Sequence, residues 1–223
     1  MLNHIAIIPD GNRRYAKKMG LSIEVVYNRA MDKIYEIVGW CKELKIKTLT
    51  VWGFSTENWR RPELEKKILF MLFEKKGKEI LLDKRIDKEG IKIKIIGNTK
   101  QFSKKLQKLF RDIEEKTKKN VKLNLNILLN YGGRKEIIQA VNQILSEGKK
   151  NINENRFKKY LWLSDEPDII IRTSGEQRLS GLLPFQSVYS ELYFEPKYFP
   201  EIQKKDFLKM IKTIEKRERR FGK

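Results

Sequence analysis

Short apolar runs alternate with longer amphipathic stretches along the chain. Residues 5–8, Ile-Ala-Ile-Ile, form a continuous apolar run of the kind buried on both faces of a parallel sheet. A β-branched and aromatic run at 48–54 predicts a second strand, and runs at 91–96, 123–129 and 168–171 predict three more. Between them apolar residues recur at helical spacing. Ile34, Ile37, Val38, Cys41 and Leu44 mark a helix over 31–44, and Pro62, tolerated in a first turn, opens a helix over about 63–82. Segments 102–119, 134–145, 157–163 and 206–219 complete the predicted helices. Such alternation predicts an α/β fold, a single domain over 1–223 whose central, mostly parallel sheet is flanked by helices on both faces. The linker-like stretch 149–155 is too short to divide it.

The helix after Pro62 is unusual because Ile68, Leu69, Phe70, Met71, Leu72 and Phe73 are consecutive. It is apolar all round for more than a turn, which a surface helix is not. Part of the run is expected to pack between the sheet and a neighbouring helix. One side, with Met71 and the phenylalanines as adaptable lining, reads as the wall of a hydrocarbon tunnel. Gly77 is the expected bend point that would set the depth of that tunnel.

The polar pattern departs from Lys, Glu and Ile at the predicted strand ends, in four turns: 10–14, 54–62, 130–134 and 172–181. Loops that follow parallel strands share one edge of the sheet, where such folds bind ligands. In the first turn Asp10 is a hard oxygen donor suited to Mg²⁺, Gly11 permits close backbone approach, and Arg13 and Arg14 match phosphate oxygens. Taken alone, this turn reads equally well as a helix cap with two solvated arginines. The four turns together bring Arg13, Arg14, Arg60, Arg61, Arg134, Arg172 and Arg178, with hydroxyls at Ser55 and Ser180, enough for two diphosphates. Neither nucleotide-binding glycine pattern is present, so the phosphates are assigned to the substrate.

The net charge of +20 and pI near 9.9 attract phosphates, nucleic acid or anionic lipid without choosing among them. Lysine excess also arises from a plain solvated surface or growth at high temperature, and Lys104, Lys105, Lys108, Lys116, Lys118 and Lys119 read as a solvated face. Because the arginines sit in glycine-bearing turns while the lysines are spread widely, no nucleic-acid partner is expected. The single cysteine, Cys41, excludes an intrachain disulfide framework and fits a cytoplasmic protein. His4, the only histidine, starts a strand and reads as packed rather than catalytic, which excludes multi-histidine metal sites. Trp40, Trp52 and Trp162 read as core. No signal peptide is visible, and no apolar run is long enough to span a bilayer, so membrane contact would be peripheral, with the basic stretch 204–219 as the candidate face.

Read in order, segments 10–16 (Asp-Gly-Asn-Arg-Arg-Tyr-Ala), 54–62 (Phe-Ser-Thr-Glu-Asn-Trp-Arg-Arg-Pro), 130–137 and 171–180 resemble the signature segments of the cis-prenyltransferases, the undecaprenyl and dehydrodolichyl diphosphate synthases. The likeness continues through Gln186, Tyr189, Glu191, Leu192 and Phe194 to residues 217–222. The resemblance implies an undecaprenyl diphosphate synthase-like fold, a homodimer, Mg²⁺ as cofactor, and condensation of isopentenyl diphosphate with an allylic diphosphate in cis geometry. It implies that Asp10 holds the magnesium-diphosphate complex while Gly11, Asn12 and Arg14 contact the allylic diphosphate, with Arg13 and Tyr15 in the same substrate-binding turn. Ser55, Asn58, Trp59 and Arg61, with Thr56 and Glu57 between them, are implied to lie beside the reacting carbons. Asn58 is assigned to proton removal or its relay; a neutral amide is a weak base, so a diphosphate oxygen is the expected final acceptor. Arg172, Arg178 and Ser180, with Leu179, resemble an isopentenyl diphosphate clamp. Glu191 resembles a second magnesium ligand, from this chain or its partner subunit, and Arg220 and Gly222 resemble a C-terminal motif that reaches across the dimer.

The sequence departs from the family pattern where many members carry an Arg and then Gly-His-x-x-Gly. Residues 21–32 offer Val26, Tyr27 and Asn28 instead, with Arg29 as the cation available to compensate. Arg13 stands for a common Gly, Tyr15 for a common Trp and Gln177 for a common His. Arg13 with Tyr15, and Ser174 with Leu179, are closer to the archaeal and eukaryotic branch, which implies a dolichol-type carrier lipid and a geranylgeranyl-length primer. The alternative within the family is a non-catalytic partner subunit of a heteromeric prenyltransferase. Retention of Asp10, Asn58, Arg172, Arg178 and Glu191 weighs against it.

Overall fold

In the computed structural model, which describes residues 2–217, all five apolar runs are strands and a sixth follows them. Among the described residues the strands are β1 (His4–Ile8), β2 (Thr48–Ser55), β3 (Ile91–Ile96), β4 (Leu123–Tyr131), β5 (Ile169–Arg172) and β6 (Glu191–Phe194). The α-helices are α1 (Asn12–Met19), α2 (Ile23–Glu43), α3 (Glu63–Leu82), α4 (Arg85–Lys88), α5 (Lys104–Thr117), α6 (Gly133–Ser146), α7 (Glu154–Lys158) and α8 (Lys204–Glu215). The strands form one sheet in the order β3-β4-β2-β1-β5-β6, and every pairing is parallel. Continuous apolar sequence is required because both faces are covered: β1 and β5 are buried at every position. From β1 the order runs to β2 on one side and to β5 on the other, so the carboxyl end of β1 is the point where the winding reverses and a crevice opens.

One face of the sheet packs against α2, α3, α5 and α8 through residues such as Ile37, Leu72, Ile113 and Phe207. The opposite face carries Ala6, Ile8, Trp52, Leu128, Tyr131 and Ile170. There the buried Glu136 of α6 accepts hydrogen bonds from Tyr131 Oη (2.5 Å), Gln186 Nε2 (3.0 Å) and the Leu163 amide (3.0 Å), tying helix, strand and loop together. Its three donors offset the cost of burying a carboxylate. His4 is buried as expected, with Nε2 2.7 Å from Thr50 Oγ1.

Three expectations are corrected. The predicted helix over 157–163 is instead α7, because Asn153 caps it by accepting the Arg156 amide (2.9 Å) and the chain then turns to bury Leu161 and Leu163. Met71 does not face a tunnel: it is 48% exposed, and the apolar run is shared between solvent, core and cavity. Gly77 lies within α3, which runs unbroken from Glu63 to Leu82, and it admits α5, since a β-carbon there would lie 2.6 Å from Leu109 Cδ2. Lys116 is not solvated with its neighbours but caps α3, donating from Nζ to the carbonyls of Ile80 (3.0 Å), Leu81 (3.0 Å) and Asp83 (3.2 Å). The predicted last helix, 206–219, begins at Lys204, and residues 218–219 lie outside the described residues.

Candidate active site

The turn after β1 is held from three directions. The Asp10 amide donates to Thr173 Oγ1 (2.9 Å), Thr173 Oγ1 donates to the Asp10 carbonyl (2.8 Å), and the Phe199 amide donates to the same carbonyl (3.1 Å). Gly11 then takes φ +93°, and a β-carbon there would lie 2.5 Å from the Tyr198 ring and 2.7 Å from Ser174 Cβ. Only glycine meets both demands. Tyr198, which no motif or spacing singles out, is thus the floor of the turn, with the Arg14 guanidinium 5.9 Å from its ring centroid.

Asp10 accepts from Arg172 Nη2 (2.8 Å) and Nε (3.3 Å), from the Gly11 amide (2.6 Å), and from Arg14 Nη2 (3.4 Å). Burial opposes ionisation of this carboxyl, but the Arg172 and Gly11 hydrogen bonds and the nearby guanidinium charges outweigh it and hold the group below the ordinary Asp value. Arg172 is itself buried and donates from Nη1 to Ser180 Oγ (2.8 Å) and to the Arg178 carbonyl, so the fourth turn is folded around it. Arg14 also donates to Ser174 Oγ (2.7 Å) and to Glu176 Oε1 (2.7 Å), and Arg178 donates to Glu176 Oε2.

The turn after β2 is a 3₁₀ helix, Thr56–Arg60, in which Asn58 Oδ1 accepts the Ser55 amide (3.0 Å). Arg61 donates to Tyr27 Oη (2.8 Å), Tyr27 donates to Glu65 Oε1 (2.6 Å), and Arg61 and Arg13 approach Glu65 at 3.2 and 3.7 Å. Glu65 is therefore the counter-ion of two mouth arginines. It is legible in retrospect as an acidic residue in the first turn of α3, four positions after Arg61. Tyr27, at the place of the departure from the family pattern, takes part in this network; burial foremost, together with Glu65, raises its pKa. Arg29, the expected compensating cation, is exposed and does not line the site.

These groups form the mouth of one continuous cavity of about 900 Å³. Asp10, Gly11, Asn12, Arg13, Arg14, Ser55, Glu57, Asn58, Arg61, Arg172 and Ser180 line its polar end. Its apolar end runs between the sheet and the helices, past Ala30, Met31 and Ile34 of α2, Leu69, Phe73, Gly77 and Ile80 of α3, and Phe110 and Ile113 of α5, over Ile95, Leu125, Ile127 and Leu129. Along α3 the stretch from Leu69 to Ile80 measures about 16 Å at 1.5 Å per residue.

Other predicted residues fall beside the cavity. Trp59 is turned into an aromatic cluster with Phe54, Phe70 and Phe102 and donates from Nε1 to Asn130 Oδ1 (2.8 Å), so it braces the turn. Thr56 bonds Glu57 (2.8 Å), Tyr15 packs on Tyr198, and Leu179 packs on the second core. Arg60 and Arg134 are exposed and off the cavity, which leaves five of the seven arginines at the mouth or bonded to its groups. Glu191 opens β6 level with Ile169, three register positions before the Arg172 edge where Asp10 lies, and it accepts from Arg217 Nη1 (2.9 Å). One chain does not bring it to Asp10. Arg220 and Gly222 lie outside the described residues. Among the described residues no cluster of three or more His, Cys, Asp or Glu side chains is poised for a metal. The single hard carboxylate at a phosphate-binding mouth nevertheless fits Mg²⁺, which commonly takes one or two protein carboxylates and fills its shell from waters and substrate phosphates.

Comparison with known proteins agrees with this geometry. Residues 8–222 match the family model described as putative undecaprenyl diphosphate synthase. A tritrans,polycis-undecaprenyl-diphosphate synthase (geranylgeranyl-diphosphate specific) of Thermococcus kodakarensis is 44% identical, over 98% of this chain and 86% of its own. An isoprenyl transferase of Thermotoga maritima is 45% identical, over 98% of this chain and 96% of its own. Among solved structures, lavandulyl diphosphate synthase from Lavandula x intermedia in complex with dimethylallyl diphosphate superposes with a TM-score of 0.91 at 29% identity, covering 100% of this chain and 98% of that one. A probable undecaprenyl diphosphate synthase from Campylobacter jejuni gives 0.85 at 31% identity, covering 100% and 99%. With a charged mouth opening on an apolar bore and a family match spanning nearly its whole length, the chain belongs to the cis-prenyltransferase family of undecaprenyl diphosphate synthases.

Proposed function

We propose that the protein extends an allylic diphosphate, geranylgeranyl diphosphate as primer, with isopentenyl diphosphate units to a long polyprenyl diphosphate that serves as a dolichol-type glycosyl carrier. The observation that carries this reading is the continuity of one cavity from the Asp10 and Arg172 pair to Ile80 and Ile113. A diphosphate head and a hydrocarbon tail then lie in one substrate, each in matching surroundings. The primer named in the Thermococcus relative supports the choice of geranylgeranyl diphosphate.

In the reaction the allylic C1–O bond breaks and releases diphosphate, the terminal alkene carbon C4 of isopentenyl diphosphate bonds to C1 and leaves a cation at its C3, and a proton lost from its C2 gives the new C2=C3 double bond. Arg14, the Gly11 turn and Arg61 hold the departing diphosphate, while Arg172, Arg178 and Ser180 hold the isopentenyl diphosphate. Fixed guanidinium and amide donors aimed at developing charge are a large source of rate enhancement. Mg²⁺ held by Asp10 would add neutralisation of the leaving diphosphate. Asn58 lines the cavity, and its amide would orient the proton toward a diphosphate oxygen. The apolar wall excludes water from the allylic cation.

A homodimer fits the exposed apolar stripe of α6, Ile138, Val141 and Leu145, which share one helix face. A partner copy would also give Glu191 its route to a neighbouring mouth. Among the described residues no helix is long and apolar enough to cross a membrane. Peripheral attachment to an anionic bilayer is favoured by the net charge of +20.

The test is incubation of purified protein with Mg²⁺, labelled isopentenyl diphosphate and primers of ten, fifteen and twenty carbons, with a chelator control. The expected result is Mg²⁺-dependent elongation, best with the twenty-carbon primer. No elongation with any primer would overturn the proposal in favour of a non-catalytic subunit.

A further inference from the structure

Glu176 lies between the two sets of cations that the proposed function assigns to different substrates. Its Oε1 accepts from Arg14 Nη1 (2.7 Å) and its Oε2 from Arg178 Nη1, so one carboxylate spans a guanidinium of the allylic site and one of the isopentenyl site. Two other acidic groups at the mouth are fixed differently. Asp10 is bound to the buried Arg172 and to a backbone amide, and Glu65 is buried against Tyr27. Glu176 is part-exposed, and its side-chain hydrogen bonds among the described residues go to these two arginines. Its backbone is anchored, however. Ser174 and Gly175 both adopt left-handed conformations (φ 75° and 76°), and their amides donate to the carbonyls of Lys197 (2.7 Å) and Glu195 (2.9 Å). The turn is therefore anchored through its backbone, whereas the carboxylate at its end is held through these arginine contacts.

We infer that Glu176 is a shared counter-ion that couples the two substrate sites: it neutralises Arg14 and Arg178 in the empty protein and leaves both when the first diphosphate arrives. This rests on the assignment of Arg14 to the allylic diphosphate and Arg178 to isopentenyl diphosphate. The sign of the coupling follows from the geometry. Two charge-assisted hydrogen bonds hold the straddling carboxylate. When a diphosphate takes one guanidinium, the remaining contact is a single exposed ion pair, which holds by only a few-fold. The bound diphosphate also repels the carboxylate. The second substrate then meets an arginine whose competitor has been removed, so each substrate raises the affinity for the other, and by linkage the factor is the same in both directions.

The experiment is titration calorimetry with Mg²⁺ at fixed ionic strength. Isopentenyl diphosphate is titrated with and without saturating geranylgeranyl thiolodiphosphate, an allylic analogue whose C–S bond resists cleavage. In the natural protein the analogue is expected to tighten isopentenyl diphosphate binding by about three-fold or more. In Glu176→Gln each ligand alone should bind about three-fold tighter, and the mutual enhancement should fall toward one. Glu176→Asp, too short to span both arginines, should also lose most of the enhancement. Thermal melting confirms that both variants are folded. Enhancement of equal size in Glu176→Gln and the natural protein, no enhancement in the natural protein, or weaker binding of either single ligand by Glu176→Gln would each overturn the inference. If neither ligand binds the natural protein, the substrate assignment itself has failed and the inference falls with it, a result distinct from binding without coupling.

Discussion

Filling the bore one helical turn below its mouth should shorten the product without unfolding the protein. Ala30 lies three residues beyond Tyr27 on α2, about 4.5 Å deeper at the helical rise, and it lines the cavity. In Ala30→Phe a phenyl ring enters a space of about 900 Å³ rather than a packed core. Each five-carbon unit kept out of the bore forfeits about 4 kcal/mol of apolar burial, at ~0.8 kcal/mol per carbon. At about 1.4 kcal/mol per decade, that is roughly a thousandfold for each unit that no longer fits. Elongation should therefore stop early, a twenty-carbon primer should become a poor substrate, and a ten-carbon primer should still undergo its first condensation within a few-fold of the natural rate. Products from labelled isopentenyl diphosphate are sized by reversed-phase chromatography, and stability is read from urea denaturation. An unaltered product ladder from the twenty-carbon primer would refute the reasoning, because the tail would lie elsewhere. So would a loss of about 1–3 kcal/mol in stability, the usual cost of overpacking, because the space would then be filled by the protein itself.

Asp10→Asn removes the charge opposite buried Arg172 and should cost about 2 kcal/mol at neutral pH, the scale of a hydrogen bond to a charged group, along with about a hundredfold in elongation rate. Because the folded pKa of Asp10 is depressed, the stability difference should be fully present above the ordinary carboxylate range and vanish as pH falls through the folded value; urea midpoints measured from pH 7 downward check this. Tyr27→Phe cuts the hydroxyl link between Arg61 and Glu65, and should raise KM for the allylic primer several-fold with kcat nearly unchanged and stability lower by about 1 kcal/mol; unchanged kinetics would remove Tyr27 from the mouth network. Gly77→Ala should lose about 1–3 kcal/mol in urea denaturation despite the better helix propensity of alanine, since Leu109 Cδ2 would lie 2.6 Å from the new carbon. A neutral or stabilising result would show that α3 and α5 separate there easily.

The strands were legible because burial on both faces demands uninterrupted apolar runs, and the polar turns were legible because they break that composition at one edge. β6 escaped because its four residues, Glu-Leu-Tyr-Phe, form an edge strand of intermediate burial that follows neither the continuous nor the alternating pattern. The apolar run around Met71 announced a helix buried in part, but which residues face solvent, core or bore depends on how α3 is rotated against its neighbours. Lys116 was misread for a related reason, and the contact of Gly77 with α5 was not foreseen: each is defined by the other helix it meets and not by its own surroundings in the sequence. Asp10, Arg14 and Arg172 were read from their chemistry, and the family motifs converged on them. Their carboxylate partners Glu65 and Glu176 and the ring of Tyr198 were not assigned roles, because those arise from contacts closed by the fold.

The most direct test of the account is a crystal structure with Mg²⁺, isopentenyl diphosphate and geranylgeranyl thiolodiphosphate. The allylic diphosphate is expected on the Gly11 turn between Asp10, Arg14 and Arg61, with its tail passing Ala30, Leu69 and Phe73 toward Ile80. A tail lying on the Trp52 and Tyr131 face of the sheet, or extended over the outer surface with the bore empty, would contradict it.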